Sequence, residues 1–194
     1  MKLVIFFLQI FTLFIAPLFA EPVVRTEVTD FNLAQNDSRV DFIFSSPIIQ
    51  TGGRFQEYTG KLTFDPNLNK ILKINISLNV SKFTLSDQSI STTVALTSLA
   101  NTLDNPNFQF ESTDISKVGT DKLKVAGYLI GSGKRKAAVF YAIQKNSQPG
   151  RLNFIAQVES KDFDINWPKE IAVFGEQYIS AKINFNLLFL ANSN

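Results

Sequence analysis

The chain of 194 residues has the usual length of a single domain and is long enough to bury a sizeable core. Its net charge of +2, from 19 basic and 17 acidic residues, provides no overall field that would attract a nucleic acid. Cys and His are both absent, which excludes disulfides, thiolate nucleophiles, imidazole bases and His or Cys metal sites.

Residues 1–20 have the pattern of a secretory signal peptide. Lys2 is the only charge before an apolar run over residues 3–16, and Ala20 supplies a small residue at the expected cleavage point. An uncleaved membrane anchor is the alternative, but the run is shorter than the ~20 residues that a span needs. We therefore predict cleavage after Ala20, a mature domain over residues 21–194, and a periplasmic or secreted location.

From residue 40 onward, apolar and polar residues alternate in a series of short segments. In residues 72–80 the apolar side chains share one face, while Lys, Asn and Ser occupy the other, which is typical of a strand with one wet face. The same alternation recurs around residues 40–44, 61–64, 108–111, 122–125, 139–143, 152–158 and 179–187. Turn-forming residues separate these segments at positions 65–67, 104–107, 131–133 and 148–150.

One interval departs from this alternation, because apolar residues between Val94 and Leu103 recur at helical spacing. The prediction is therefore an all-β fold, namely an eight-stranded antiparallel β-barrel with one short helix. A closed barrel leaves no strand edge open, whereas a two-sheet sandwich gives the same alternation and is the structural alternative. A transmembrane barrel is disfavoured, since the chain ends at Asn194 instead of an aromatic residue and its aromatic residues are nearly all Phe.

The apolar face of such a barrel has two interpretations. The interior of eight strands is just wide enough to be filled by side chains or to hold one small ligand. Small residues at inward positions would leave room along the axis for a chain-like ligand, which gains ~0.8 kcal/mol for each buried CH₂ group. These small residues are Gly60, Gly127, Ala156 and Ala181. Periodicity alone leaves a fully packed core equally open.

Residues 53–66 carry a distinctive pattern, in which Gly-x-Phe and a further aromatic residue precede Gly-x-Leu-x-Phe-Asp-Pro. Three shorter segments follow in order, with Pro-Asn-Phe-Gln-Phe at 106–110, Val-Ala-Gly-Tyr-Leu at 125–129 and Asp-Phe-Asp-Ile at 162–165. This ordered set resembles the YceI family of lipocalin-like proteins. The resemblance implies a periplasmic, non-enzymatic barrel that binds or carries an isoprenoid-type lipid, such as a polyprenyl quinone or polyprenyl phosphate, in its pore.

The resemblance and the alternation together suggest residues for such a site. We expect inward-facing apolar side chains to contact the lipid tail, namely Phe64, Ile76, Leu78, Phe110, Leu129, Phe154 and Phe185. Lys134 and Arg135, next to Gly133, are candidates for contact with a head-group phosphate, although a solvated hairpin is the simpler interpretation. The family usually has Arg and His in the stretch that reads 85–91 here, and both are missing.

No catalytic residue, metal ion or cofactor is expected, other than a bound isoprenoid lipid. A hydrolase would need a Ser–Lys or carboxylate mechanism, and no Ser-x-x-Lys at a helix start is apparent. The alternative function is that of a structural or interaction β-sandwich or barrel with a packed core and no ligand. The expected partners are an isoprenoid or other long-chain lipid and, transiently, a membrane, but no nucleic acid. The sequence leaves the oligomeric state open.

The signal-peptide prediction is tested by the intact mass of the exported protein. Cleavage after Ala20 predicts a polypeptide that begins at Glu21. A mass that retains residues 1–20 would contradict cleavage and favour the membrane anchor.

Overall fold

The computed structural model describes residues 27–47, 50–86, 105–131, 133–159 and 180–192. The signal peptide and the helix expected between Val94 and Leu103 lie outside these residues. Within the described ranges the chain forms a 3-10 helix, Gln35–Asp37, and nine strands. The strands are β1 Thr29–Leu33, β2 Arg39–Ser45, β3 Gln50–Asp65, β4 Lys70–Leu85, β5 Asn107–Lys117, β6 Lys122–Gly131, β7 Lys134–Gln148, β8 Arg151–Glu159 and β9 Ser180–Ala191. None of the described segments is a helix long and apolar enough to cross a membrane.

The nine strands form one antiparallel sheet that closes on itself with eight strand positions. β1 and β2 share one of these positions, because each pairs with β3 on one side and with β9 on the other. β3 pairs with β4, and each later strand pairs with the next until β9 returns to β1 and β2. The prediction of an all-β, eight-stranded antiparallel barrel is therefore confirmed, and the two-sheet sandwich is not what forms.

The connections divide between the two ends of the barrel. Short turns at 66–69, 118–121 and 149–150 meet at one end, which we call the turn end. At the opposite end, β6 and β7 are joined through Gly133, whose φ of 72° lies in the left-handed region that favours glycine. β4 and β8 also finish at this opposite end, and β5 and β9 begin there.

One half of the interior is tightly packed with aromatic side chains. Val40, Phe42 and Phe44 share the buried face of β2, as the alternation predicted. The ring of Phe42 lies 4.9 Å from that of Phe55 and 5.7 Å from that of Phe83, centroid to centroid. These contacts fill the side of the barrel formed by β2, β3 and the end of β4.

A β-bulge changes which residues of β4 face inward. The alternation predicted that Leu72 shares the inner face with Ile74, but Leu72 is 42% exposed and Ile71 is only 6% exposed. Thr63 pairs with Lys73 while Phe64 pairs with Ile71, so Leu72 is an extra residue on β4. The bulge reverses the faces at this point, which alternation within one strand cannot reveal.

Three large apolar residues of β7 face outward. Val139 and Tyr141 are each 51% exposed and Ile143 is 37% exposed, whereas Ala142 is buried. The alternation had assigned Val139, Tyr141 and Ile143 to the apolar face of the strand, opposite smaller or polar neighbours. The structure places Phe140 and Ala142 inside, and an apolar surface therefore lies on the outer wall.

The break between β1 and β2 is held by buried hydrogen bonds. The hydroxyl of Tyr58 donates to the carbonyl of Ser38 at 2.6 Å, and the Ser38 hydroxyl accepts from the backbone N–H of Leu188 at 2.9 Å. Burial raises the pKa of Tyr58, and the charge of Asp41 adds to the rise. The stability gained from this shift is complete below the ordinary pKa of 10.0 and is lost as the pH climbs towards the higher folded-state pKa.

Replacement of Tyr58 by Phe tests this contact. We expect Tyr58→Phe to lower the free energy of unfolding by about 1–2 kcal/mol, because the buried Ser38 carbonyl loses its donor. Urea denaturation measures the change. Tyr141→Phe is the matched control, since that side chain is half exposed, and should change stability by less than about 0.5 kcal/mol. Equal effects of the two substitutions would show that the Tyr58 hydroxyl does not hold the strand break.

Candidate ligand-binding cavity

The other half of the barrel interior contains a narrow cavity of about 90 Å³. Its lining comes from β4 to β9, and no residue of β1, β2 or β3 contributes to it. Among the described residues that line it, Gln109 is the one polar side chain. The aromatic packing of β2 and β3 therefore confines the free space to the side of the barrel opposite those strands.

Six of the seven residues expected to contact a lipid tail line this cavity. They are Ile76, Leu78, Phe110, Leu129, Phe154 and Phe185. Phe64 does not, because its ring packs at a right angle against that of Phe31, with 6.3 Å between the centroids. The bulge beside Phe64 places that side chain near the turn end of the barrel.

Further lining residues were not singled out from the sequence. Phe140 packs its ring 4.9 Å from that of Phe110, and Phe189 lies 6.0 Å from Phe154. Phe108 and Val158 also line the cavity. Alternation on β7 would have identified Phe140 if the set that contains Ala138, Phe140 and Ala142 had been assigned to the inner face.

The glycines of the inner wall do not leave room along the barrel axis, contrary to the expectation from the sequence. A Cβ atom on Gly127 would lie 2.8 Å from the ring of Phe110, and one on Gly60 would lie 3.2 Å from the ring of Phe189. Gly53 is covered in the same way by Phe42. Instead, a neighbouring Phe ring packs against the backbone of each glycine, as happens when an aromatic side chain shields a strand glycine.

The described residues around the cavity include no polar groups arranged for chemistry. Nearly all the side chains around it are aliphatic or aromatic, so it excludes charged groups and stabilises apolar ones. At about 90 Å³ it is smaller than the roughly 300–1,000 Å³ of a drug-sized ligand pocket. The arrangement suits an apolar chain of small cross-section, and a long chain needs some interior rings to move aside.

The two residues proposed for a head group lie at the end of the barrel opposite the turn end. Lys134 and Arg135 are both exposed, and the guanidinium carbon of Arg135 lies 4.0 Å from the ring centroid of Tyr128 on the outer wall. Lys136 instead stands opposite Leu129, which lines the cavity, and so takes an inward position on β7. No His, Cys, Asp or Glu cluster that would hold a metal ion occurs among the described residues.

A family model described as the YceI-like domain matches residues 31–189. Among curated proteins, none matches the chain.

Solved structures similar to the described fold come from several bacteria. BcnA of Burkholderia cenocepacia shares 20% identity at a TM-score of 0.63, covering 80% of this chain and 98% of its own. A polyisoprenoid binding domain from Saccharophagus degradans, implicated in plant cell wall breakdown, shares 11% identity at a TM-score of 0.58, covering 84% and 98%. The Campylobacter jejuni YceI protein shares 16% identity at a TM-score of 0.56, covering 73% and 85%.

Adding a methyl group at Gly127 tests the ring-over-glycine packing of the cavity wall. We expect Gly127→Ala to destabilise the protein by about 1–3 kcal/mol, because the new Cβ collides with the Glu111 carbonyl and the Phe110 ring. Thermal unfolding measures the loss. Gly119→Ala is the control, since its nearest contact would be 3.6 Å away, and should leave the melting temperature nearly unchanged. Unchanged stability of Gly127→Ala would mean that Phe110 does not lie against this glycine.

Proposed function

The chain belongs to the YceI-like domain family, and from that premise we propose that its barrel binds or carries an isoprenoid-type lipid without catalysing a reaction. The observation that carries the proposal is the apolar cavity inside a closed barrel. The similar domain of Saccharophagus degradans is described as polyisoprenoid binding, which supports the same ligand class for this chain.

The shape and chemistry of the cavity favour an unbranched or methyl-branched hydrocarbon chain. Each buried CH₂ group contributes ~0.8 kcal/mol, so a tail of a dozen carbons supports tight binding before the costs of association. The rings of Phe108, Phe140 and Phe185 line the free space and are only partly buried, so we expect rings of this group to turn when a longer tail enters. Binding therefore exchanges contacts among rings for contacts between rings and the isoprenoid chain.

We propose that the head group of the lipid emerges at the end of the barrel opposite the turn end. Lys134 and Arg135 lie there, beside the hairpin turn at Gly133. Each is exposed, so either side chain can reach a phosphate that emerges from the barrel. A quinone head group needs no cation. A double Lys134→Ala/Arg135→Ala variant should therefore weaken binding of a polyprenyl phosphate and leave binding of a polyprenyl quinone unchanged.

A location outside the cytoplasm is part of this proposal. Its support is the amino-terminal segment, in which Lys2 precedes an apolar run and a small residue at Ala20. A carrier of a polyprenyl lipid in the periplasm would shield the tail from water between membranes. A structural or interaction barrel with no ligand is the competing function, and the small size of the cavity is the observation that favours it.

A tryptophan at Ile76 tests the proposal by filling the cavity. Ile76→Trp is expected to weaken binding of a fluorescent polyprenyl analogue about tenfold or more, because the indole occupies the space of the tail. Fluorescence titration of the purified protein measures the dissociation constant.

Leu72→Trp is the matched control on the same strand, since Leu72 faces solvent and its replacement should leave affinity unchanged. Circular dichroism checks that both variants keep their strands. Equal affinity of the two folded variants, or no binding by the original protein, would overturn a ligand in this cavity.

A further inference from the structure

The charges of this chain are strongly segregated along the sequence. Residues 122–158 contain seven basic residues and no acidic residue, although the whole chain has a net charge of only +2. All 17 acidic residues therefore lie elsewhere. This stretch is β6, β7 and β8, which are neighbours in the barrel, so one side of the molecule carries an excess of positive charge.

Most of these cations lie on the outer surface of the three strands, which we call the basic wall. The alternation of β6, β7 and β8 directs five of them outward, and all five are exposed: Lys122, Lys124, Arg135, Lys145 and Arg151. Among the described residues, acidic side chains occur at the borders of the wall, and Asp121 precedes β6 in the turn beside Lys122. Glu111 and Asp114 stand opposite Tyr128 and Ala126 across the edge with β5, and Glu159 ends β8 at 3.8 Å from Lys182 of β9.

Large apolar side chains are exposed among these cations. Val139, Tyr141 and Ile143 of β7 are 51%, 51% and 37% exposed, and Ile155 of β8 is 39% exposed. Ile143 pairs directly with Lys122 on one side and with Ile155 on the other, so charge and hydrocarbon are interleaved. A surface of this kind on a soluble domain marks a site of contact with a partner.

Aromatic rings hold two of the cations close to the sheet. The ammonium of Lys122 lies 4.5 Å from the ring centroid of Tyr141, and Arg135 covers Tyr128 in the same way. These contacts hold the cationic groups of Lys122 and Arg135 next to the aromatic rings at the outer surface of the sheet. A partner that offers anionic groups and an apolar layer just beneath them would meet both at once.

We propose that the basic wall docks on the surface of an anionic lipid bilayer. The cations would meet lipid phosphates, while Tyr141, Val139 and Ile143 would enter the boundary between head groups and acyl chains, where aromatic side chains are favoured. A nucleic acid would leave the exposed Ile and Val side chains without a gain in binding. A second copy of the chain would bring five cations against five more, which opposes association.

Docking of the wall is separate from binding in the cavity. Docking uses the outward side chains of β6, β7 and β8, whereas the inward side chains of the same strands line the cavity. Docking therefore does not require a lipid inside the barrel. The strands shared by the two surfaces place the cavity directly behind the docked face, with Phe140 inside the wall and Tyr141 outside it.

Sedimentation with vesicles that contain no isoprenoid lipid tests the proposal. The full chain should bind vesicles of mixed phosphatidylcholine and phosphatidylglycerol, bind phosphatidylcholine alone much more weakly, and lose affinity as salt is added. Lys122→Gln/Lys124→Gln/Lys145→Gln should weaken binding to the anionic vesicles about tenfold or more. Tyr141→Ser/Ile143→Ser should also weaken it, because the apolar contact is lost.

Matched variants of other strands serve as controls. One control removes three exposed cations of β3 and β4, in the variant Lys61→Gln/Lys73→Gln/Lys82→Gln. The other removes two exposed apolar groups of β4 and the turn before it, in the variant Leu68→Ser/Leu72→Ser. Both should bind vesicles like the original protein. Equal losses in control and wall variants would overturn the proposal. A loss in the lysine variant alone would also overturn it, because that result indicates a partner recognised by charge only. A dimer of the protein that dissociates in the Tyr141→Ser/Ile143→Ser variant would overturn it as well.

Discussion

Closure of the barrel is the constraint on which the rest of the structure depends. The sheet closes because β1 and β2 together fill one strand position between β3 and β9, and the hydrogen bond from Tyr58 to the Ser38 carbonyl fastens the break between them. A closed sheet of eight positions has no free edge and a narrow interior. Phe rings packed around β2 and β3 occupy half of that interior, so the cavity is confined to the side of β4 to β9.

This division explains why the most distinctive sequence motif supports the fold and not the ligand. Gly53 accepts the ring of Phe42, Tyr58 fastens the strand break, and Asp65 accepts backbone hydrogen bonds from Asn67 and Leu68 in the turn that follows β3. All three lie on β3, which contributes nothing to the cavity lining. The motif thus contributes to closure of the barrel, while the cavity is lined by side chains on β4 to β9.

Alternation and the family resemblance together predicted the barrel, and six of the seven residues expected on its inner face line the cavity. Alternation misplaced residues where a neighbouring strand decides the face. Leu72 turns outward because an irregular pairing with β3 makes it an extra residue on β4, and nothing within β4 signals that pairing. Val139, Tyr141 and Ile143 of β7 turn outward, because Phe140 and Ala142 take the inner positions beside Phe110 and Phe154. The space expected at Gly127 is occupied by Phe110, which only the register between β5 and β6 reveals.

The inner faces of β6 to β8 line the cavity and their outer faces form the basic wall, so the two proposed lipid contacts share three strands. The central claim is that the cavity holds an apolar chain, and the most direct measurement is mass spectrometry of an organic-solvent extract of the purified protein. We predict an isoprenoid-type lipid in stoichiometric amount, lost from an extract of the Ile76→Trp variant but kept in that of Leu72→Trp. Extracts that contain no such lipid, together with no uptake of added polyprenyl compounds, would contradict the account.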